Sequence, residues 1–334
     1  MFQRKALAFA ILLAALSNAA TLWWLWPDGF GVDLAVFWRT VNGPASQIYA
    51  PSAEPFAYPP TALIWFQPLR LALFWPSYGL WTLVSIAAFW ITSARLYGIA
   101  PTRLAIFAPA ILLGLIPGQT SMIAASCLFA AFLFDVSVAR GVLLGVAVTL
   151  KPQLVFLAPL FLLANREWRS LAAMALTVIA VAAAATLIFG MGIWSDWLRS
   201  SGAFQQIVSN RGLTASAVSP SSYFEMPFSI AVIALGFGLG LFIALRSRGL
   251  GPANRAAAIV ATSLISAPYA LRYDLAALMP IVAAVILSLD DRKGIVAALS
   301  YSAALGPFSI IAALPSIFAW RRSRGGSEAE NSAS

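Results

Sequence analysis

Apolar runs, separated by short polar joints, fill most of this chain. They fall near 6–26, 59–74, 77–94, 104–116, 120–136, 141–150, 153–164, 170–190, 228–245, 256–267, 274–289 and 295–319. A helix that crosses a bilayer needs about 17–25 mostly apolar residues, so the longer runs predict membrane spans. The shorter ones predict broken helices, tolerated where their ends are buried in protein or line a cavity. Strict alternation of a β-barrel kind is absent. The expected fold is an all-α polytopic membrane protein, a helical bundle of about 10–12 helices with external loops. Residues 1–320 read as one domain, and the polar, small-residue-rich tail 321–334 reads as disordered.

Two details of the pattern stay open. Either 59–74 is a re-entrant half-helix and 141–164 forms two short spans, or 59–74 crosses and 141–164 is one helix broken at Lys151-Pro152. Both alternatives put the long joints 27–58 and 191–227 on the same side. The start, MFQRK before an apolar run, has the look of a signal peptide, with Ser17-Asn18-Ala19 as a cleavage-like site. The run continues through Trp23, Trp24 and Trp26, which suits a retained first helix with an interfacial belt.

Composition agrees with the pattern. Of 334 residues, 61% are hydrophobic and 10% charged, where a soluble domain carries about 25% charged. The net charge of +9 sits in short clusters between apolar runs, which points to membrane orientation and not to nucleic acid. Arg4 and Lys5, Arg95 and Arg103, Arg140, Arg166 and Arg169, Arg246, Arg248 and Arg255, Arg292 and Lys293, and Arg321, Arg322 and Arg324 can all face the cytoplasm. Both termini are then cytoplasmic, and 27–58, 191–227 and the short joint 267–274 lie outside. Histidine is absent, which removes zinc sites of the HExxH kind, Ser-His triads and Cys-His dyads. Cys127, the single cysteine, reads as a small hydrophobe inside an apolar run. No cofactor and no metal is expected.

An ionisable residue in or against a membrane is expensive and therefore a candidate for function. Asp33 stands in the first external joint, with Asp28 close by after Pro27. Phe30, Phe37 and Trp38 around it would raise its pKa towards that of a useful base. The plainer reading makes Asp33 the N-cap of a helix over LAVFWRTV. Lys151 ends VLLGVAVTL ahead of Pro152 and reads as a phosphate site or as a snorkelling anchor. In SAPYALRYDLAALMP, residues 266–280, Arg272 and Asp274 could neutralise each other, or Arg272 could grip a phosphate beside Tyr269. IPGQTS, residues 116–121, is a Pro-Gly turn in which a buried Gln119 would offer hydrogen bonds to a polar ligand. The joint 191–227 is long for a connector. Its Trp194, Trp197, Phe204 and Phe224 predict an ordered, membrane-hugging segment, with Asn210 a candidate sugar contact.

Five stretches taken in order resemble the polyprenol-phosphate-dependent mannosyltransferases of the GT-C class, glycosyltransferase family 87. They are GVDLAVFW with IYA downstream, FAYPPTALIWFQPL, PGQTS, GVLLGVAVTLKPQLVFLAPLFLLANREWR and SAPYALRYDLAALMP. The resemblance implies a GT-C fold whose first external loop carries the catalytic acid. Asp33 matches that loop aspartate, Tyr58-Pro59-Pro60 matches the start of the next helix, and Lys151 matches the lysine before proline. Many members carry Asn-x-Ser-Leu where this chain reads SNRGLTASAVS, so 204–224 departs from the pattern.

The implied activity is inverting, metal-independent transfer of a hexose, mannose for this family. It would pass from a polyprenyl-phosphate sugar to an envelope glycolipid or glycan at a bacterial inner membrane. Asp33 is then the base, Lys151 and Arg272 hold the donor phosphate, and Asp28, Tyr58, Gln119, Asn210, Tyr269 and Asp274 are substrate contacts. The alternative class is a transporter or lipid flippase, which would place its charges near mid-bilayer in repeat-related broken helices.

Overall fold

The computed structural model describes residues 2–50, 56–210, 217–288 and 301, with the side chains of 2–6 and 202–210 outside that description. Apart from Tyr301, the apolar run at 295–319 therefore lies outside the described residues, as do Arg292, Lys293 and the tail at 321–334. Fourteen α-helices, with 3-10 segments of three to seven residues between some of them, account for the described fold. Four are long and apolar enough to cross a membrane: α1 (Phe2–Leu25), α4 (Phe74–Tyr97), α10 (Trp168–Phe189) and α12 (Phe228–Arg246). Their outward faces are greasy, with Leu16, Leu83, Leu187 and Leu235 all more than half exposed, as lipid-facing positions should be. Trp23, Trp24 and Trp26 stand exposed at the end of α1.

The remaining helices are α2 (Val32–Asn42), α3 (Pro60–Phe66), α5 (Ile99–Ile106), α6 (Pro109–Leu115), α7 (Ser121–Ala131), α8 (Ser137–Leu150), α9 (Ala158–Ala164), α11 (Gly192–Asn210), α13 (Pro252–Ser266) and α14 (Met279–Ser288). Several expected spans are thus broken, and proline is the agent. It opens α3, α6, α9 and α13 within their first two residues, where its missing N–H costs nothing. The run 104–116 splits between α5 and α6 at Pro109. The run 141–164 splits at Lys151-Pro152, with Lys151 in a non-helical conformation at φ −149°, ψ 80°, as the residue before proline prefers. At 59–74 the structure gives a seven-residue helix and a 3-10 segment, Gln67–Leu71. Seven residues rise about 10 Å, a third of the bilayer core, so α3 is a half-helix. Its Thr61 hydroxyl donates to the Thr149 carbonyl at 2.9 Å, docking it on the end of α8. The long joint 191–227 is largely helical: α11 occupies its first half, and Trp194 packs against the core.

α8 packs closely against α10. A Cβ at Gly141 would lie 2.2 Å from the Ser170 carbonyl oxygen, and one at Gly145 would lie 2.6 Å from Thr177 Cβ. Small residues four apart let two membrane helices touch backbone to side chain, where dispersion replaces the hydrophobic drive. α13, buried along nearly its whole length, is the central stave. Both α8 and α13 carry an arginine near their first turn, Arg140 and Arg255, and both end beside the polar segments that form the site below.

Candidate active site

The site begins at the turn 116–120. Gly118 sits at φ +81° and presses on α2, since a Cβ there would lie 2.7 Å from Leu34 Cβ. The carbonyls of this turn take the first N–H groups of α2: Gly31 donates to Ile116 at 2.7 Å, and Asp33 and Leu34 both donate to Pro117, at 2.9 and 3.0 Å. This corrects the N-cap reading of Asp33. The cap residue is Gly31, and Asp33 is the second residue of α2. With Ile116 and Pro117 meeting the first N–H groups of the helix, the carboxylate turns to Gln119, whose Nε2 donates to Asp33 Oδ2 at 2.5 Å. The N-terminal end of α2 favours a carboxylate there.

Gln119 is 5% exposed. Its Oε1 accepts from Tyr58 Oη at 2.9 Å and from Lys151 Nζ at 3.2 Å. Tyr58 stands at the start of the half-helix α3, and its hydroxyl also meets Thr120 Oγ1 at 3.0 Å. Lys151 is wholly buried, which excludes the snorkelling reading. Its ammonium lies 2.8 Å from Asp274 Oδ1 and donates to Ser121 Oγ at 2.8 Å. Ser121 in turn donates to Asp274 Oδ1 at 2.9 Å. The three donors of an ammonium are thereby used on Gln119, Ser121 and Asp274, and the ring of Tyr273 lies 4.4 Å from the nitrogen. The buried partner of Asp274 is therefore Lys151. Asp274 Oδ2 also accepts the N–H of Leu271 at 3.0 Å, capping the 3-10 segment Arg272–Leu278.

The structure thus joins Asp33, Tyr58, Gln119, Lys151 and Asp274 in one hydrogen-bonded chain, drawn from five separate segments. Tyr269 stands just ahead of the segment Arg272–Leu278, its phenol hydrogen-bonded to that of Tyr273. Burial, with Asp274 adding to it, holds that phenol well above the ordinary tyrosine value, so it stays protonated and able to donate. Arg272 is half-buried in the same segment. Asp28 is exposed beyond α1 and stands outside the group. Asn210 closes α11, and its side chain lies outside the described residues. Ser121 and Thr120 were missed as individual residues, although PGQTS contains them, and Tyr273 was noted in SAPYALRYDLAALMP without a role. A short antiparallel bridge, Ala217 to Leu271, ties the end of the long second joint to this segment. Among the described residues no three His, Cys, Asp or Glu side chains come together.

The sequence model of glycosyltransferase family 87 matches residues 56–271, well over half of the chain. The chain belongs to glycosyltransferase family 87. This family-87 chain is accordingly a membrane glycosyltransferase, with a sugar donor and an acceptor as substrates. The matched stretch holds Tyr58, Gln119, Ser121, Lys151 and Tyr269, while Asp33 lies ahead of it and Arg272 and Asp274 just past its end. No curated protein and no solved structure matches the chain.

Proposed function

We propose that the protein moves a hexose, mannose by its likeness to the GT-C mannosyltransferases, from a polyprenyl-phosphate sugar to an envelope glycolipid or glycan, with inversion and without a metal. The observation that carries the reading is the convergence of a half-buried carboxylate, Asp33, with a buried cation, Lys151, through one amide. Asp33 takes the proton of an acceptor hydroxyl. That oxygen bonds to the anomeric carbon from the face opposite the phosphate. The bond from that carbon to the phosphate oxygen breaks, and polyprenyl phosphate leaves with the electron pair.

Two cations answer the charge that grows on the leaving phosphate. Arg272, in the half-buried segment, makes the direct contact, with a geometry suited to two phosphate oxygens. Lys151 adds positive potential from beneath, its own donors already engaged. A monophosphate leaving group beside such cations needs no metal, in keeping with a chain that has no histidine and one cysteine. The arginine-rich ends set the orientation: the site faces outwards, and both termini face the cytoplasm of a bacterial inner membrane.

The test is transfer itself. Purified protein in lipid nanodiscs, given radiolabelled polyprenyl-phosphate mannose and a cell-envelope extract, moves label into a new glycoconjugate. The Asp33→Asn protein does so about a hundredfold or more slowly. Label that stays on the donor with the intact protein, or transfer in Asp33→Asn at close to the unaltered rate, overturns the proposal.

A further inference from the structure

Gln119 was a candidate substrate contact, yet every polar atom of its side chain is spent inside the protein. Its Oε1 accepts from Lys151 and Tyr58, and its Nε2 donates to Asp33. The orientation of the amide is set by charge. Turned over, it would place its NH₂ against the ammonium of Lys151 and its carbonyl against the carboxylate of Asp33, replacing both charged hydrogen bonds with like-signed contacts, while the Tyr58 hydroxyl could serve either orientation. Lys151 is itself held by Asp274 and Ser121, and the backbone of Gln119 is fixed by its N–H to the Gly114 carbonyl at 2.8 Å.

We infer that Gln119 is a positioning residue, which fixes the direction of the Asp33 carboxylate and carries the buried Lys151–Asp274 pair to it. The inference rests on the base role proposed for Asp33. It gives the ion pair a use in the reaction that does not require Lys151 to leave its partners. It also explains the tight Gly118 turn, because the amide reaches both charges only if that turn is pressed against α2. A carboxylate that swings by a fraction of an ångström loses alignment with the incoming hydroxyl, and a misplacement near 1 Å costs about a hundredfold in rate.

The experiment compares Gln119→Glu and Gln119→Leu with the unaltered protein and with Asp33→Asn. Gln119→Glu keeps the volume and the Lys151 contact but sets an oxygen against Asp33. Gln119→Leu removes both contacts. Both are expected to lower kcat about tenfold to a hundredfold, with the donor KM within about twofold of the unaltered value, as for a group acting on the chemical step alone. Combining Gln119→Leu with Asp33→Asn should lower the residual rate no further, since a residue acting only through Asp33 has nothing left to position. A raised donor or acceptor KM with kcat unchanged makes Gln119 a substrate contact and overturns the inference. So does an unchanged kcat in both variants, or a double variant well below Asp33→Asn. If Asp33→Asn is itself active, the base assignment fails first and the positioning role falls with it; if Asp33→Asn is dead while both Gln119 variants turn over normally, only the positioning role is lost. Thermal unfolding in detergent accompanies each variant, and Gln119→Glu, which preserves volume, carries the comparison if Gln119→Leu does not fold.

Discussion

Two charged clusters mark opposite ends of α8, and they are built on opposite plans. At its start, Glu167 takes Arg140 on one carboxylate oxygen at 2.6 Å and Arg255 on the other. Both guanidiniums lie over the ring of Phe132, and Arg140 also donates to the carbonyls of Ala131 and Phe134. Arg248 closes the end of α9 through the Ala164 carbonyl at 2.8 Å. This is a clamp that joins α8, α10 and α13, with 16–19% of each charged side chain still exposed. Eleven residues further on, about 17 Å along the helix, Lys151 and Asp274 are wholly buried. There the pair does not close on itself. It continues through Gln119 to a half-buried acid at the surface of α2. A clamp gathered on one carboxylate serves the fold, whereas a buried pair linked through an amide to a half-buried carboxylate is what the proposed base role calls for.

The largest effect expected separates the clusters by activity. Asp33→Asn keeps the Gln119 neighbour and the α2 backbone contacts but removes the proposed base, and transfer should fall by about 10²- to 10⁴-fold, the usual range for a general base. Expression and unfolding temperature should stay near those of the unaltered protein. Measuring initial rates with labelled donor checks this; a loss under threefold would place Asp33 with the clamp residues, as structure and no more.

Next comes the buried pair. Lys151→Met leaves Asp274 charged and uncompensated where no water reaches it, a change that costs about 3–5 kcal/mol. The midpoint of thermal unfolding should drop by several degrees, and donor use should weaken more than acceptor use. Lys151→Met combined with Asp274→Asn removes both charges, so stability should partly return while donor use stays poor. Recovery of both together would make the pair a second clamp and erase the contrast between the two ends.

How far this contrast was legible in the sequence follows from the distances involved. The apolar runs gave the helices, because a helix inside a bilayer must satisfy its own backbone and so shows in local composition. The half-helix at 59–74 and the break at Lys151-Pro152 stood among alternatives that proline opened but could not decide, and the break at Pro109, inside the run 104–116, was not read. The contact of α8 on α10 was written in Gly141 and Gly145 but went unused. Asp33, Gln119, Lys151 and Asp274 each stood out as polar residues in oily surroundings. Their partners did not, because Gln119 meets Asp33 across 86 residues and Ser121 meets Asp274 across 153. Composition allows Arg272 as well as Lys151 to neutralise Asp274; only the fold brings the end of α8 to that carboxylate. The cap reading of Asp33 stood beside the base reading for the same reason, since the carbonyls that meet the first N–H groups of α2 belong to Ile116 and Pro117, far along the chain.

Glu167→Gln tests the other end. Two partly buried guanidiniums then share a neutral amide, and the fold should lose about 1–3 kcal/mol. Donor and acceptor KM, and the rate per folded molecule, should stay within about twofold, because α8 carries the strain at its start and the site lies beyond its end. Thermal unfolding and initial rates on the same preparation check both halves. A rate that falls with no loss of stability would mean that the two ends are coupled through α8 or α13.

The smallest effect calibrates the rest. Arg199 and Asp196 form an ion pair at 2.6 Å on α11, as short as the Arg140–Glu167 contact, but with 77% and 49% of their side chains exposed. Distance alone would rank them equal. Water screens the exposed pair, and holding two mobile side chains in register offsets most of what attraction remains, so such pairs contribute about 0–1 kcal/mol. Arg199→Ala should therefore move the unfolding midpoint by about a degree or less, leave transfer unchanged, and respond little to salt. If it instead matches Glu167→Gln in cost, burial is not what sets the clamp apart, and the ranking of the two ends of α8 would have to rest on their connectivity alone.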